Sequence, residues 1–170
     1  VSLLRILTIE RPPVSVLDPT DRRILRTLDT HPRATVQYLA EYLGLARGTV
    51  QSRLKRLVDG DQLAPISTRL HPSAVGRPLR AIVTAQGDQS MFEGTIDDLS
   101  DIPEVVEVLG ISGGSDLSIE IIARDADDIY RITQRLMQCR GISRTSTSIV
   151  LRELLPRRMK QLLDADAPSG

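Results

Sequence analysis

Apolar positions in the first third of the chain recur every three or four residues. Ile24, Leu25 and Leu28 form one such face, so a helix is expected there. The stretch Leu17-Asp18-Pro19-Thr20-Asp21 starts it. Asp18 suits the N-cap, Pro19 the first helical position, and Asp21 places an acid where the helix dipole is positive. This helix should end before Pro32. Thr35 caps a second helix running through Leu39, Ala40 and Leu43, and Gly44 stops it, because glycine adopts a left-handed backbone most easily. A third helix is expected over residues 47–58, ending near Gly60. Residues 61–79 hold Pro65, Pro72 and Pro78 and read as a wing-like extension and linker.

From residue 80 the rhythm changes. Ala81–Ala85 is a short strand, and residues 89–100 fit a helix with Met91, Phe92, Ile96 and Leu99 facing inward. Val105–Ser112 is an apolar strand, Gly113-Gly114 a turn, and Leu117–Ala123 a strand with Leu117, Ile119 and Ile121 on one face. Asp125 caps a helix whose Ile129, Ile132, Leu136 and Met137 repeat at helical spacing, and Gly141 ends it. Ile142–Leu151 is the last strand. The order βαββαβ is the split βαβ arrangement, a four-stranded sheet with both helices on one face. Its other face needs a cover, which points to self-association. The fold class is therefore α+β: a winged helix-turn-helix followed by a ferredoxin-like domain. The expected boundaries are an extension over residues 1–16, the helical domain over 17–64, the wing and linker over 65–79, the second domain over 80–151, and a tail over 152–170.

Composition narrows the class. Aromatic residues are 2% of the chain, so the cores must be aliphatic. The single Cys139 rules out an internal disulfide and reads as a small packed residue, and no Cys/His cluster can hold zinc. His31 and His71, each before a proline, read as loop residues. The run from Leu3 to Ile9 is too short to span a membrane and lacks a following cleavage site. A soluble cytoplasmic protein without cofactor or membrane partner is expected.

Net charge is zero, yet it is polarised. Residues 1–79 carry 12 basic and 7 acidic side chains, and residues 80–150 carry 6 and 12. Two domains with different partners would produce that split, as would two unrelated solvated surfaces. The acids around residues 93–107 read as a solvated surface.

The third helix concentrates the positive charge. On a helix of 3.6 residues per turn, Val50, Leu54, Leu57 and Val58 form the inward stripe. The other side carries Arg47, Gly48, Thr49, Gln51, Ser52, Arg53, Lys55 and Arg56, with no acid before Asp59. Solvated helices usually mix signs. A short glycine turn leading into a helix with a small, polar and cationic face is what major-groove recognition needs. The cations would neutralise phosphates while Thr49, Gln51 or Ser52 reach base edges.

These residues resemble a known family. Leu17-Asp18…Asp21-Arg22…Ile24-Leu25, Leu39-Ala40…Gly44-Leu45 and Thr49-Val50…Arg53-Leu54…Arg56-Leu57 look like the winged helix-turn-helix of the Lrp/AsnC (feast/famine) transcription regulators. Ile102-Pro103-Glu104-Val105, Ser112-Gly113-Gly114-Ser115-Asp116 and Gly141-Ile142…Thr145-Ser146-Thr147 are similar to their effector-sensing RAM domain. The resemblance covers about residues 17–155, with both halves in the expected order. It implies a homodimer, assembling further to an octamer, that binds a near-palindromic double-stranded DNA site and responds to a small effector, mostly an amino acid. It also implies Gly113, Gly114, Ser115 and Asp116 as one wall of the effector site, with Thr145 and Thr147 nearby. Two positions depart from the family pattern: Ala46 stands where Ser or Thr usually caps the recognition helix, and Ser115 where an aromatic often precedes the Asp.

The loop's chemistry suits an amino acid, since Asp116 can hold an ammonium and glycine amides a carboxylate. The same residues also fit a plain hairpin turn followed by a turn-stabilising Asp, and Thr145 and Thr147 a plain β-surface. Two other functions remain in view: a regulator that needs no effector, and a sirohaem-decarboxylase-like enzyme on the same architecture. That enzyme would need histidines in the second half, and none follows His71.

Overall fold

The computed structural model describes residues 15–60 and 62–165. The expected extension over residues 1–16 lies almost wholly outside them, as do the last five residues of the tail. The described residues fall into two compact units: residues 15–68 together with 155–165, and Arg69–Leu154.

The first unit is built on helices α1 (Pro19–Thr30), α2 (Val36–Leu43) and α3 (Arg47–Asp59). Asp18 caps α1 as its sequence requires: its carboxylate accepts from the amides of Thr20 at 2.8 Å and Asp21 at 2.9 Å. Asp21 returns the bond by accepting from the Asp18 amide at 3.3 Å, completing a capping box. The Thr35 hydroxyl accepts from the Tyr38 amide at 3.1 Å to start α2, and Gly44 ends it at φ 65°. Ile24, Leu39, Ala40 and Val50 are buried together, flanked by Leu28, Leu43, Leu45 and Leu54. Leu57 is also buried, but Val58, expected on the same stripe, is 63% exposed. It lies one residue past Leu57, and a step of 100° carries it off the buried face.

The segment expected to be wing-like forms two 3₁₀-helical turns, Ile66–Arg69 and Pro72–Val75, rather than strands. Its prolines remove amide donors that a β-ladder would need.

In the second unit β1 (Leu79–Gly87), α4 (Phe92–Ser100), β2 (Val105–Gly110), β3 (Leu117–Ala123), α5 (Ala126–Leu136) and β4 (Ile142–Ile149) follow the expected βαββαβ order. The sheet order is β2-β3-β1-β4 and every pair is antiparallel. Ala81, Val83 and Ala85 pair with Ile121, Ile119 and Leu117, and all six are buried. Leu99, Ile129, Ile132 and Leu136 join them from the helices. The intervening residues, Ile82, Thr84, Ser118, Glu120 and Ile122, form the open face.

Three residues expected to face inward are instead exposed: Met91, Ile96 and Met137. The inward stripe of α4 is Phe92, Thr95 and Leu99, with Thr95 fully buried because its hydroxyl donates to the Arg140 carbonyl at 2.7 Å. A short 3₁₀ turn, Gln89–Met91, precedes α4 and rotates Met91 away. β2 and β4 are shorter than their apolar runs suggested, ending at Gly110 and Ile149.

The tail contains a helix that its sequence had not signalled, α6 (Lys160–Ala165), which belongs to the first unit and lies against α1. No helix among the described residues is long and apolar enough to cross a membrane.

Candidate nucleic-acid interface and ligand loop

Helix α3 presents Arg47, Gly48, Thr49, Gln51, Ser52, Lys55 and Arg56 to solvent, with Arg53 half-buried. Gly48, Thr49, Ser52, Arg53 and Arg56 line one shallow hollow, as their spacing of three and four residues dictates. A Cβ on Gly48 would meet nothing within 4 Å. The fold therefore does not require a glycine there.

The expectation of an acid-free cationic face holds along α3 but not in space. Helix α1 supplies the missing acids. The Arg53 guanidinium bonds Asp18 and lies 2.9 Å from Asp21, and Arg56 bonds Asp21 as well. Lys55 pairs with Asp59 on α3 itself. Of the four cations, only Arg47 makes no ion pair among the described residues. The Arg53 hydrogen bond, helped by the Asp21 amide, lowers the Asp18 carboxyl below the usual carboxylate range. Asp18 raises Arg53 in return, so both stay charged.

This bracket has a structural reason. Ala46 sits at the N-cap of α3 without a side-chain hydrogen bond, which weakens the helix start by about 1 kcal/mol. Thr49 is exposed and does not replace it. Fully buried Val50 and Leu57, with the Asp18/Asp21 bracket, fix α3 instead. Asp18 and Asp21 thus cap α1 and grip α3. Their sequence signal for the second role was the excess of Arg and Lys on α3 over its single acid, Asp59.

A second polar feature lies on α2. Tyr38 and Tyr42 stack at 5.6 Å, one turn apart, and His31 meets both edge-on at 5.4 and 5.9 Å. His31 is thus an aromatic contact rather than only a loop residue.

The candidate ligand loop, Gly113–Asp116, joins β2 to β3. The Ile111 amide donates to the Asp116 carbonyl at 2.9 Å, and Gly113 adopts φ 134°, a conformation an L side chain resists. The Asp116 amide donates to Ala85 at 3.0 Å, and its carboxylate accepts from the Gly87 amide at 3.0 Å. One carboxylate oxygen is therefore committed to holding the loop on β1. The other accepts no hydrogen bond among the described residues. Gly113 and Gly114 are exposed, and Ser115 is half-buried. Thr145 pairs with Ala85 across the other edge of β1, and Thr147 with Val83. The loop and Thr145 thus reach one end of the sheet with β1 between them. Thr145 donates to the Met137 sulfur at 3.3 Å, while Thr147 is exposed.

Glu104, one of the acids of the 93–107 segment expected to be merely solvated, proves to be structural, and Asp128 joins it. Glu104 and Asp128 are buried at the opposite end of β1. Arg131 bonds Glu104 at 2.6 Å and Asp128 at 2.7 Å, Arg124 holds Asp128 at 3.1 Å, and Arg77 reaches Asp128 at 3.2 Å and Glu104 at 3.4 Å. Burial pushes the Glu104 carboxyl up, but Arg131 and Arg77 outweigh it and hold it below its ordinary value. The Arg124 side chain, with its amide, holds Asp128 lower still. Arg80 pairs with Glu120 at 2.8 Å and Glu153 at 3.1 Å. Arg77 and Arg80 are therefore committed within the second unit.

Comparison with known proteins agrees with this layout. An AsnC-type helix-turn-helix domain model matches residues 17–58, and an Lrp/AsnC ligand binding domain model matches residues 80–159. The HTH-type transcriptional regulator AldR of Mycobacterium tuberculosis is 30% identical over 142 residues, covering 81% of this chain and 79% of that one. The structure of Escherichia coli AsnC superposes with a TM-score of 0.76 at 20% identity, covering 86% of this chain and 99% of that one. A feast or famine regulatory protein from M. tuberculosis, complexed with L-methionine, superposes with a TM-score of 0.73 at 30% identity, covering 85% and 98%. The matched proteins are transcriptional regulators rather than enzymes.

Proposed function

Because the chain belongs to the Lrp/AsnC family of DNA-binding transcriptional regulators, we propose that it reads a near-palindromic operator as a homodimer and releases or reshapes it in response to an amino acid. The observation that carries the reading is the outer face of α3: small at Gly48 and Thr49, polar at Gln51 and Ser52, cationic at Arg47, Lys55 and Arg56, and exposed at every one of these positions. A helix of that shape and sign enters a major groove, with cations on phosphates and short polar side chains at base edges. Arg53 contributes by holding α3 in place and by adding charge beside the hollow.

Self-association follows from the sheet. Its open face carries Ile82 and Ile122 among serines and threonines, and a second copy covers such a face without leaving apolar surface in water. Two α3 helices related by a twofold axis then read half-sites about one helical turn, or a multiple of it, apart. Dimers assemble further, up to an octamer, with the effector held between them. The Gly113–Asp116 loop with Thr145 and Thr147 forms the effector wall, the uncommitted oxygen of Asp116 taking the ammonium. An M. tuberculosis relative holds L-methionine, which supports the amino-acid class and makes methionine the first compound to try.

The test is a fluorescence-anisotropy titration of the purified protein against DNA from upstream of its own gene, at two salt concentrations, with and without a panel of amino acids. Specific binding that falls steeply with salt, because phosphate contacts dominate affinity, and that one amino acid shifts is expected. Specific binding that no amino acid alters would leave an effector-independent regulator. Weak binding equal for unrelated DNA would remove the operator-reading function.

A further inference from the structure

Helix α1 is gripped from two sides. Asp18 and Asp21 hold Arg53 and Arg56 of α3. Arg22 and Arg26, one turn apart, hold the C-terminal helix α6. A six-residue helix does not persist alone in water, and its last carbonyls have no partner within it. Helix α1 supplies that partner: Arg22 donates to the Leu162 carbonyl at 3.1 Å and Arg26 to the Leu163 carbonyl at 2.6 Å. The Arg26 guanidinium also lies 3.0 Å from the Asp164 carboxylate. Cations at a helix C-terminus further favour the docked form through the helix dipole.

The route to α6 matters as much as the contact. The chain passes between the two units twice, at residues 68–69 and again at 154–155. Between β4 and α6 it forms no regular element and leaves Leu151 95% exposed and Leu154 79% exposed. This stretch is a tether rather than part of either core. It continues directly from β4, the strand that carries Thr145 and Thr147.

We propose that residues 155–165 are a strap that couples the sensing unit to the DNA-reading unit, docking on the Arg22/Arg26 face of α1 and releasing from it. The coupling rests on the reading of α3 as the DNA-recognition helix; the docking does not. With the strap docked, α1 is braced on a second face, and its Asp18/Asp21 bracket keeps α3 aligned. With the strap released, α1 loses those arginine contacts and α3 loses rigidity at its uncapped start. A displacement of β4 at the effector wall passes along the tether to this two-state contact, which is the element both sites bias.

Two variants of the full protein test this: Arg26→Gln, which removes the main anchor, and a chain ending at Leu154. Hydrogen–deuterium exchange without DNA reads the docking. Exchange at the α1 amides should quicken about three- to tenfold in both variants, the weight of one or two hydrogen bonds, while β1 and β3 stay unchanged. Operator affinity should fall by a similar factor, with the salt dependence preserved. Unchanged exchange in α1 of the shortened chain overturns the docking. Faster exchange with wild-type operator affinity overturns the coupling. A wild-type protein that binds no operator defeats the DNA reading, and with it the coupling, whereas the exchange result still decides the strap.

Discussion

Fourteen buried residues from Ala81 to Ile142 make the core of the sensing unit, against four, Ile24, Leu39, Ala40 and Val50, in the central cluster of the DNA-reading unit. A sheet covered by two helices has enough apolar area to fix itself by burial. Three short helices have less, and the smaller unit completes its fold with charge: Asp18 and Asp21 on α1 against Arg53 and Arg56 on α3. The sensing unit has a comparable ionic cluster at Glu104 and Asp128, but that cluster sits at the far end of β1 from the ligand loop. On the proposed reading of the two sites, stability and function share residues in one unit and are separated in the other. A change to the charges of α3 should therefore alter fold and DNA binding together, whereas the arginines around Asp128 should be separable from ligand binding.

The largest effect should come from breaking the two carboxylates in parallel. Asp21→Ala and Asp128→Ala each remove a buried carboxylate that holds two or more guanidinium groups, at a cost of about 1–3 kcal/mol in urea unfolding. Only Asp21→Ala should also weaken operator binding, because only Asp21 positions α3. Equal loss of operator affinity in Asp128→Ala would end the contrast between the units.

Acid provides the next test. Arg140 bonds Asp98 at 2.7 Å, and its amide donates at 2.8 Å, holding the carboxyl down at about 2. A depressed carboxylate stabilises the fold fully above its unfolded value of about 3.9 and loses that contribution as pH falls through its folded value. Urea midpoints of the sensing unit should therefore drop between about pH 4 and pH 2, and Asp98→Asn should flatten that drop.

Arg47 sharpens the comparison from the other side. It has no ion pair among the described residues, so Arg47→Ala should leave the melting temperature unchanged. Operator affinity should fall for all sequences alike, with the slope of affinity against salt reduced by about one unit. Arg53→Ala should lower the melting temperature as well. The smallest effect is a gain: Ala46→Ser supplies the absent cap and should stabilise the DNA-reading unit by about 0.5–1 kcal/mol, seen as a modest rise in its melting temperature.

Local chemistry alone determined a great deal of this protein. Asp18, Thr35 and Gly44 set helix boundaries because each acts on amides or carbonyls within four residues of itself. The alternation Leu117, Ile119, Ile121 set a strand face for the same reason: the period belongs to the backbone, not to the fold. The exposed, small and cationic face of α3 was legible from helical spacing, as was the βαββαβ order. What could not be read was any property that depends on distant parts of the chain. Met91, Ile96 and Met137 are apolar, but nothing in their spacing tells whether a sheet will reach them. Asp116 is a turn residue and a candidate ligand in sequence; only the register with Gly87 commits one of its oxygens. The acids that quiet Arg53 and Arg56 stand more than thirty positions away, and the carbonyls that Arg22 and Arg26 cap stand about 140 away. Coulomb and hydrogen-bond energies depend on separation in space, and across such intervals only the tertiary structure decides it.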